Sequence, residues 1–159
     1  PTKEHPGTPT LFLERFNTRD GLARLNPVGY EAQSEPPDAE YPFVLNSGRM
    51  LYQYHSSTMS ARSVPLVELA KESYVLVNPR DAEREGFATG TRVELRSRRG
   101  RLETTVRVGE EVAEGELFMP FHFGDALVNR LTRDELDPYS RIPPFKYTAC
   151  AARRAADRD

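Results

Sequence analysis

Apolar and polar residues alternate in several distinct rhythms along the chain, and each change of rhythm predicts an element. From Leu11 the run Leu11-Phe12-Leu13, then Phe16, a turn at Thr18-Arg19-Asp20-Gly21 and Leu22-Ala23-Arg24-Leu25 predict a leading hairpin. Ahead of it, residues 1–9 carry three prolines, one glycine and little to bury, which is a linker composition. Residues 31–40 (Glu-Ala-Gln-Ser-Glu-Pro-Pro-Asp-Ala-Glu) are acidic and lack large apolar side chains, so they are expected to cross the surface as a connector. Residues 1–40 are thus assigned to a linker and leading hairpin, and the main domain is expected to start at Tyr41.

In that domain Tyr41-Pro42-Phe43-Val44-Leu45 predicts a buried strand that delivers a sharp loop, Asn46-Ser47-Gly48-Arg49. Helical spacing behind a proline predicts a short helix over Pro65-Leu66-Val67-Glu68-Leu69-Ala70, and Tyr74-Val75-Leu76-Val77 reads as strand. A second short helix follows: Asn78 is a capping residue, Pro79 suits the first turn, and Gly86 ends it. Strict alternation over 91–97 and 102–108, with a turn at Arg98-Arg99-Gly100, predicts a half-exposed hairpin. After a turn at 112–116, Leu117-Phe118-Met119-Pro120-Phe121-His122-Phe123 predicts a strand ending in aromatic and imidazole side chains, and 146–151 predicts the last one. The fold class is therefore mainly β with short helices, a mixed barrel or sandwich with helical crossovers. It spans 41–154 and leaves 155–159 as a tail.

Composition narrows the function classes. A chain of 159 residues, 38% hydrophobic and 29% charged, supports one core. A formal charge of −2 offers no general basic field, so no nucleic-acid partner is expected. No segment approaches the roughly 20 apolar residues of a membrane span, and none is expected. The single cysteine, Cys150, excludes an internal disulfide framework and a multi-cysteine metal site built from this chain alone, and agrees with a reducing, cytoplasmic location. Its place in the terminal strand marks it as a packing residue. A start at Pro1, without Met or an apolar leader, reads as a piece of a longer polypeptide.

Candidate chemistry is sparse. His5, His55 and His122 are far apart and outside any HExxH pattern, so no metal centre is expected; no Gly-rich phosphate fingerprint and no G-x-S-x-G elbow occurs. The one basic cluster, Arg96-Ser97-Arg98-Arg99-Gly100-Arg101, sits at a hairpin tip between Glu94 and Glu103 without aromatic residues, so it reads as a solvated turn. Three polar stretches are more informative: 46–60, 121–138 and 144–146. They gather hydroxyl, amide, imidazole and cationic groups suited to a large phosphate-bearing ligand.

These stretches carry a resemblance. Tyr41 to Arg49, Tyr54-His55-Ser56-Ser57-Thr58-Met59, Asn78-Pro79-Arg80-Asp81-Ala82, Phe118 to Phe123, Asn129-Arg130-Leu131-Thr132, Leu136-Asp137-Pro138 and Pro144-Phe145-Lys146 occur in an order that resembles the C-terminal dinucleotide-binding domain of molybdopterin oxidoreductases. The Tyr-His-Ser-Ser-Thr-Met loop and the stretch from Met119 to Thr132 are most similar to formate dehydrogenase alpha subunits, with nitrate reductases second. The resemblance implies a double-psi β-barrel. It also implies a bis-molybdopterin guanine dinucleotide cofactor with molybdenum or tungsten, shared with upstream domains of the catalytic subunit, and electron-transfer subunits as further partners. The chain alone would carry no catalytic or metal-ligating residue.

Carried over position by position, the cofactor contacts would be Ser47, Gly48 and Arg49, then His55, Thr58 and Met59, then His122 and Phe123, with Asn129 on a heterocycle edge and Lys146 as a point charge. Gly48 would permit close backbone approach and the Ser47 hydroxyl would donate. The chain departs from the family at Asn46-Ser47, where threonines are usual, and at Pro144, where an acidic residue is common. A stand-alone, non-catalytic barrel module is the reading from a different class.

Overall fold

Short apolar runs separated by capped helices and tight turns fold here into strands that wrap on one another. The computed structural model describes residues 2–156. They divide into two units, Pro1–Ala32 and Gln33–Asp159.

In the first unit the predicted turn forms but the predicted strands do not. Phe16 N–H donates to Gly21 O at 2.9 Å, and the Thr18 hydroxyl donates to Leu22 O at 2.8 Å, yet no ladder extends on either side. Leu11, Leu13, Leu22 and Leu25 are exposed. An isolated two-stranded ribbon is marginal in water without a third strand or a packed face, and this segment has neither within its unit.

The second unit is a closed six-stranded barrel, with strands β1 (Phe43–Gly48), β2 (Tyr74–Val77), β3 (Arg92–Arg96), β4 (Arg101–Val108), β5 (Glu116–Pro120) and β6 (Thr148–Arg154) in the order β1-β5-β2-β4-β3-β6. Two pairs are parallel, β1 with β5 and β2 with β4; the rest are antiparallel. Parallel neighbours cannot be joined by a tight turn, so the chain must cross over between β1 and β5 and between β2 and β4. Closure removes every free sheet edge.

Two short helices serve the crossovers, α1 (Val64–Glu68) and α2 (Pro79–Glu85). The sequence signals at α2 all act as expected. The Asn78 side chain accepts from Arg80 N–H, Pro79 occupies the first turn, and Gly86 takes a left-handed φ of 69° while its N–H bonds back into the last turn. Asp81, fully buried, accepts from Gly115 N–H at 2.7 Å and ties the helix to the turn before β5.

Alternate side chains of the wall meet inside. Phe43, Leu45, Val75, Val77, Val93, Leu95, Val106, Leu117, Met119 and Cys150 form one buried cluster. Cys150 is the packing residue expected, and burial pushes its thiol up to about 12. Among the described residues no helix is long and apolar enough to cross a membrane.

Three boundaries differ from the sequence reading, each for a tertiary reason. β1 runs on through Asn46-Ser47-Gly48, because β5 pairs with it as far as Gly48↔Pro120. β5 stops at Pro120, short of the aromatic-imidazole segment. β6 starts later and ends later than expected, since Ala151 to Arg154 pair with β3. Its small alanines look weak as strand formers but suit a tightly closed wall.

The basic hairpin tip is not a free solvated turn. Arg99 grips both oxygens of Glu35 at 2.5 Å and reaches Asp134 at 3.4 Å; Arg98 pairs with Asp38 and lies 4.6 Å from the Tyr41 ring centroid. The Arg99 contact holds the Glu35 carboxyl below its ordinary value. The unlike charges that sequence reading kept apart, on the connector and on the tip, neutralise each other.

Candidate functional site

β1 and the segment leading into β6 meet at the mouth of a pocket. At the end of β1, the Ser47 N–H and hydroxyl both donate to the carbonyl of Phe145, at 3.1 and 2.8 Å, and Lys146 Nζ donates back to Ser47 O at 2.5 Å. Three bonds across nearly a hundred residues fix Phe145-Lys146 beside Arg49. A cavity of about 600 Å³ opens there, lined by Ser47, Arg49, His55, Phe121, Asn129, Phe145 and Lys146.

His55 arrives on a strained but pinned loop. His55 and Ser57 take left-handed φ values of 48° and 61°, a region that side chains with a Cβ rarely adopt. Beneath them the buried Gln53 accepts from the Ser60 hydroxyl at 2.6 Å and donates to Leu66 O at 3.2 Å, while the Ser60 oxygen accepts from Tyr54 N–H at 3.0 Å. The imidazole stands edge-on to Tyr54, and its Nδ1 lies 3.4 Å from Arg49 Nη2. Asn129 comes from a 3-10 turn over Val128–Arg130 whose Val128 is anchored in the core.

Five of the expected contact residues therefore share one cavity: Ser47, Arg49, His55, Asn129 and Lys146. The other five lie outside its lining. Thr58 and Met59 are exposed on the surface. Gly48 has a packing reason to be glycine, because a Cβ there would sit 2.4 Å from the Phe118 ring. Ser47 spends its hydroxyl proton on Phe145, so it positions the pocket wall and is no free donor. His122 and Phe123 are buried, their ring centroids 3.9 Å apart; burial pushes the imidazole pKa down, and its Nε2 meets no hydrogen-bond partner among the described residues.

Phe121 and Phe145 lie inside two of the stretches picked out in the sequence but were not named as contact residues, although each directly precedes one that was. Polar chemistry drew attention to His122 and Lys146, while the flat ring one position earlier forms the wall. Among the described residues no group of three or more His, Cys, Asp or Glu side chains is placed to hold a metal ion.

Comparison with known proteins decides the family. The Molydopterin dinucleotide binding domain matches residues 43–149. The chain belongs to this family. It is 37% identical over 152 residues to the F420-dependent formate dehydrogenase 1 subunit alpha of Methanococcus maripaludis, covering 96% of this chain and 22% of that protein. To the assimilatory nitrate reductase catalytic subunit of Bacillus subtilis it is 32% identical over 156 residues, covering 96% of this chain and 22% of that one. The chain thus spans about a fifth of the curated relatives it matches. Among solved structures, acetylene hydratase from Pelobacter acetylenicus shares the fold, with a TM-score of 0.65 at 18% identity over 73% of this chain and 19% of that one.

The pocket's donor set suits the ligand of a molybdopterin dinucleotide-binding domain. Two cations, an amide and an imidazole surround it, two aromatic side chains line it, and none of its described lining residues is acidic. A dinucleotide presents the complement, with anionic phosphates and flat heterocycles. The Nε2 of His122, one residue along from Phe121 of the lining, is a buried polar atom without a hydrogen-bond partner among the described residues.

Proposed function

We propose that this chain is the dinucleotide-holding domain of a formate dehydrogenase alpha subunit, active only together with the rest of that polypeptide. The observation that carries the cofactor role is the cavity ringed by Arg49, His55, Asn129 and Lys146 with no carboxylate on its lining. Formate is the substrate of choice because the formate dehydrogenase relative is 37% identical where the nitrate reductase relative is 32%. The cofactor is a bis-molybdopterin guanine dinucleotide carrying molybdenum or tungsten; when bound, it supplies the two-electron chemistry that converts formate to carbon dioxide and a proton.

The chain's own residues bind, orient and exclude water. Arg49 gives a planar pair of donors to phosphate oxygens, and Lys146 adds a point charge whose place is set by its bond to Ser47 O. Asn129 offers donor and acceptor together, as one edge of a guanine requires. Phe121 and Phe145 present faces for ring stacking and keep that side of the pocket dry. Ser47 and Gly48 act indirectly, the first by holding Phe145-Lys146 and the second by admitting the Phe118 ring. The remaining domains and electron-transfer subunits are the partners, and one buried thiol fits a cytoplasmic setting.

The test is metal analysis of the purified intact protein followed by dye-linked assays with formate and with nitrate. Bound molybdenum or tungsten with formate-dependent dye reduction is expected. Oxidation of reduced dye by nitrate, without formate turnover, would reassign the substrate and leave the cofactor role standing.

A further inference from the structure

The pocket-bearing loop from 121 to 147 contains little regular structure, yet it supplies four of the cavity's lining residues. What orders it lies partly outside the barrel wall. Arg133, only 4% exposed, sits in this loop with its guanidinium removed from water. Its Nη1 donates to the Ser34 hydroxyl at 2.5 Å and to Glu135 at 3.0 Å, and its Nη2 donates to Gln33 Oε1 at 2.9 Å. The Ser34 hydroxyl in turn donates to Glu135 at 2.6 Å. A buried cation is tolerated only while its partners stay, so the acidic connector and the loop are bound into one unit.

Three further contacts tighten the same junction. Arg99 on the hairpin tip holds Glu35 at 2.5 Å and Asp134 at 3.4 Å, joining connector and loop a second time. A Cβ on Gly100 would lie 2.7 Å from the carbonyl of Arg130, so the tip presses against the loop backbone next to Asn129. On its other side Arg133 lies 6.0 Å from the ring centroid of Tyr147, the neighbour of Lys146. The clamp therefore touches the chain beside both of the loop's polar pocket residues.

We propose that residues 33–38 are a strap that holds the pocket loop in its binding shape, with Arg133 as the positioning residue through which the strap acts. Neither Arg133 nor the strap lines the cavity. Displacement of the connector unpairs Arg133, frees the segment around Val128–Arg130 and takes Asn129 and Lys146 out of register. The pocket thereby senses how the connector is held. The consequence for ligand rests on the cofactor reading given above, whereas the coupling of strap to loop rests on the geometry alone.

Hydrogen exchange on the intact protein tests the coupling. The amides of Arg130 and Leu131 are hydrogen-bonded within the loop, at 3.0 and 2.9 Å, and report its order. In a Gln33→Ala/Ser34→Ala variant their exchange is expected to rise by roughly tenfold while the amides of β1 to β6 are unchanged, as for a local opening. Arg133→Met is expected to behave alike, and Arg133→Lys to recover part of the protection. Unaltered exchange at Arg130 and Leu131 in the strap variant overturns the proposal, as does equal loss in the barrel strands. Guanine nucleotide released on denaturing the same samples separates the two ideas. Its absence from the unmodified protein counts against the cofactor reading, and the strap then stands or falls by exchange.

Discussion

The barrel wall and the pocket rim are built from the same chain by different forces. Wall residues such as Leu45, Val93 and Leu117 are fully buried and sit in closed ladders, so hydrophobic burial and backbone bonding both hold them. Rim residues are exposed or half-exposed, and single polar contacts hold them: Lys146 on a carbonyl of β1, Arg49 beside His55, Phe145 under Ser47. The wall can lose a rim contact without noticing. The rim follows movement of the wall, because Ser47 at the end of β1 holds both Phe145 and Lys146. Stability and binding should therefore separate cleanly by position.

The sharpest way to break that separation is in the wall. Leu117→Ala empties a fully buried site between β1 and β2 and is expected to cost about 2–5 kcal/mol, read by denaturant unfolding. A loss under about 1 kcal/mol would mean the barrel collapses around the cavity and is softer than its packing implies. Next comes Gly48→Ala, at the boundary of the two regions. It displaces the Phe118 ring and is expected to destabilise by about 1–3 kcal/mol, in the range of other overpacked sites.

Helix capping gives a smaller effect. Asn78→Ala removes the acceptor for Arg80 N–H and the donor to Val112 O, and is expected to lower stability by about 1 kcal/mol without moving ligand affinity. His122 adds a pH dependence. Burial holds its pKa below the ordinary 6.5, so the unfolded chain takes up the proton more readily. Stability is then complete above about 6.5 and declines as the pH falls through and below that value, down to the folded-state pKa. His122→Gln should flatten that decline in a melting-temperature series from neutral to mildly acidic pH; an unchanged slope would show that the imidazole does not contribute. Smallest of all on stability is Arg49→Ala, expected within about 0.5 kcal/mol of the parent because its side chain is exposed. Its effect belongs to binding.

The wall was legible in the sequence and the junctions were not. Alternation over 91–97 and 102–108 predicted β3 and β4 because each strand carries its own half-buried face. The same kind of pattern around Asp20-Gly21 produced a turn and no strands, since alternation makes a strand only when a neighbour completes the ladder. Arg98 and Arg99 looked solvated because their partners, Glu35 and Asp38, lie some sixty residues away. Residues 33–40 carry no apolar signal, yet they group with the barrel unit through ion pairs and hydrogen bonds that pattern reading does not register.

At the pocket, residue type picked five positions that the fold gathers around one cavity. Ser47 suggested a ligand donor, but its hydroxyl serves Phe145, a partner 98 positions later that only the β1–β6 pairing brings close. Phe121 and Phe145 lay inside the quoted stretches but were not named as contacts, because an aromatic residue in a β protein more often signals core than a cavity wall. Gly48 was chosen for closeness to a ligand and proved to be close to Phe118.

The most direct measurement is the nucleotide and pterin released from the purified intact protein and from its Arg49→Ala/Lys146→Ala variant. If the rim holds the dinucleotide by its two cations, the parent releases guanine nucleotide together with pterin. The variant then releases at least about tenfold less at an unchanged melting temperature, as expected for the loss of two charge-assisted contacts. Equal release from both proteins would contradict the assignment of this pocket as the dinucleotide's seat.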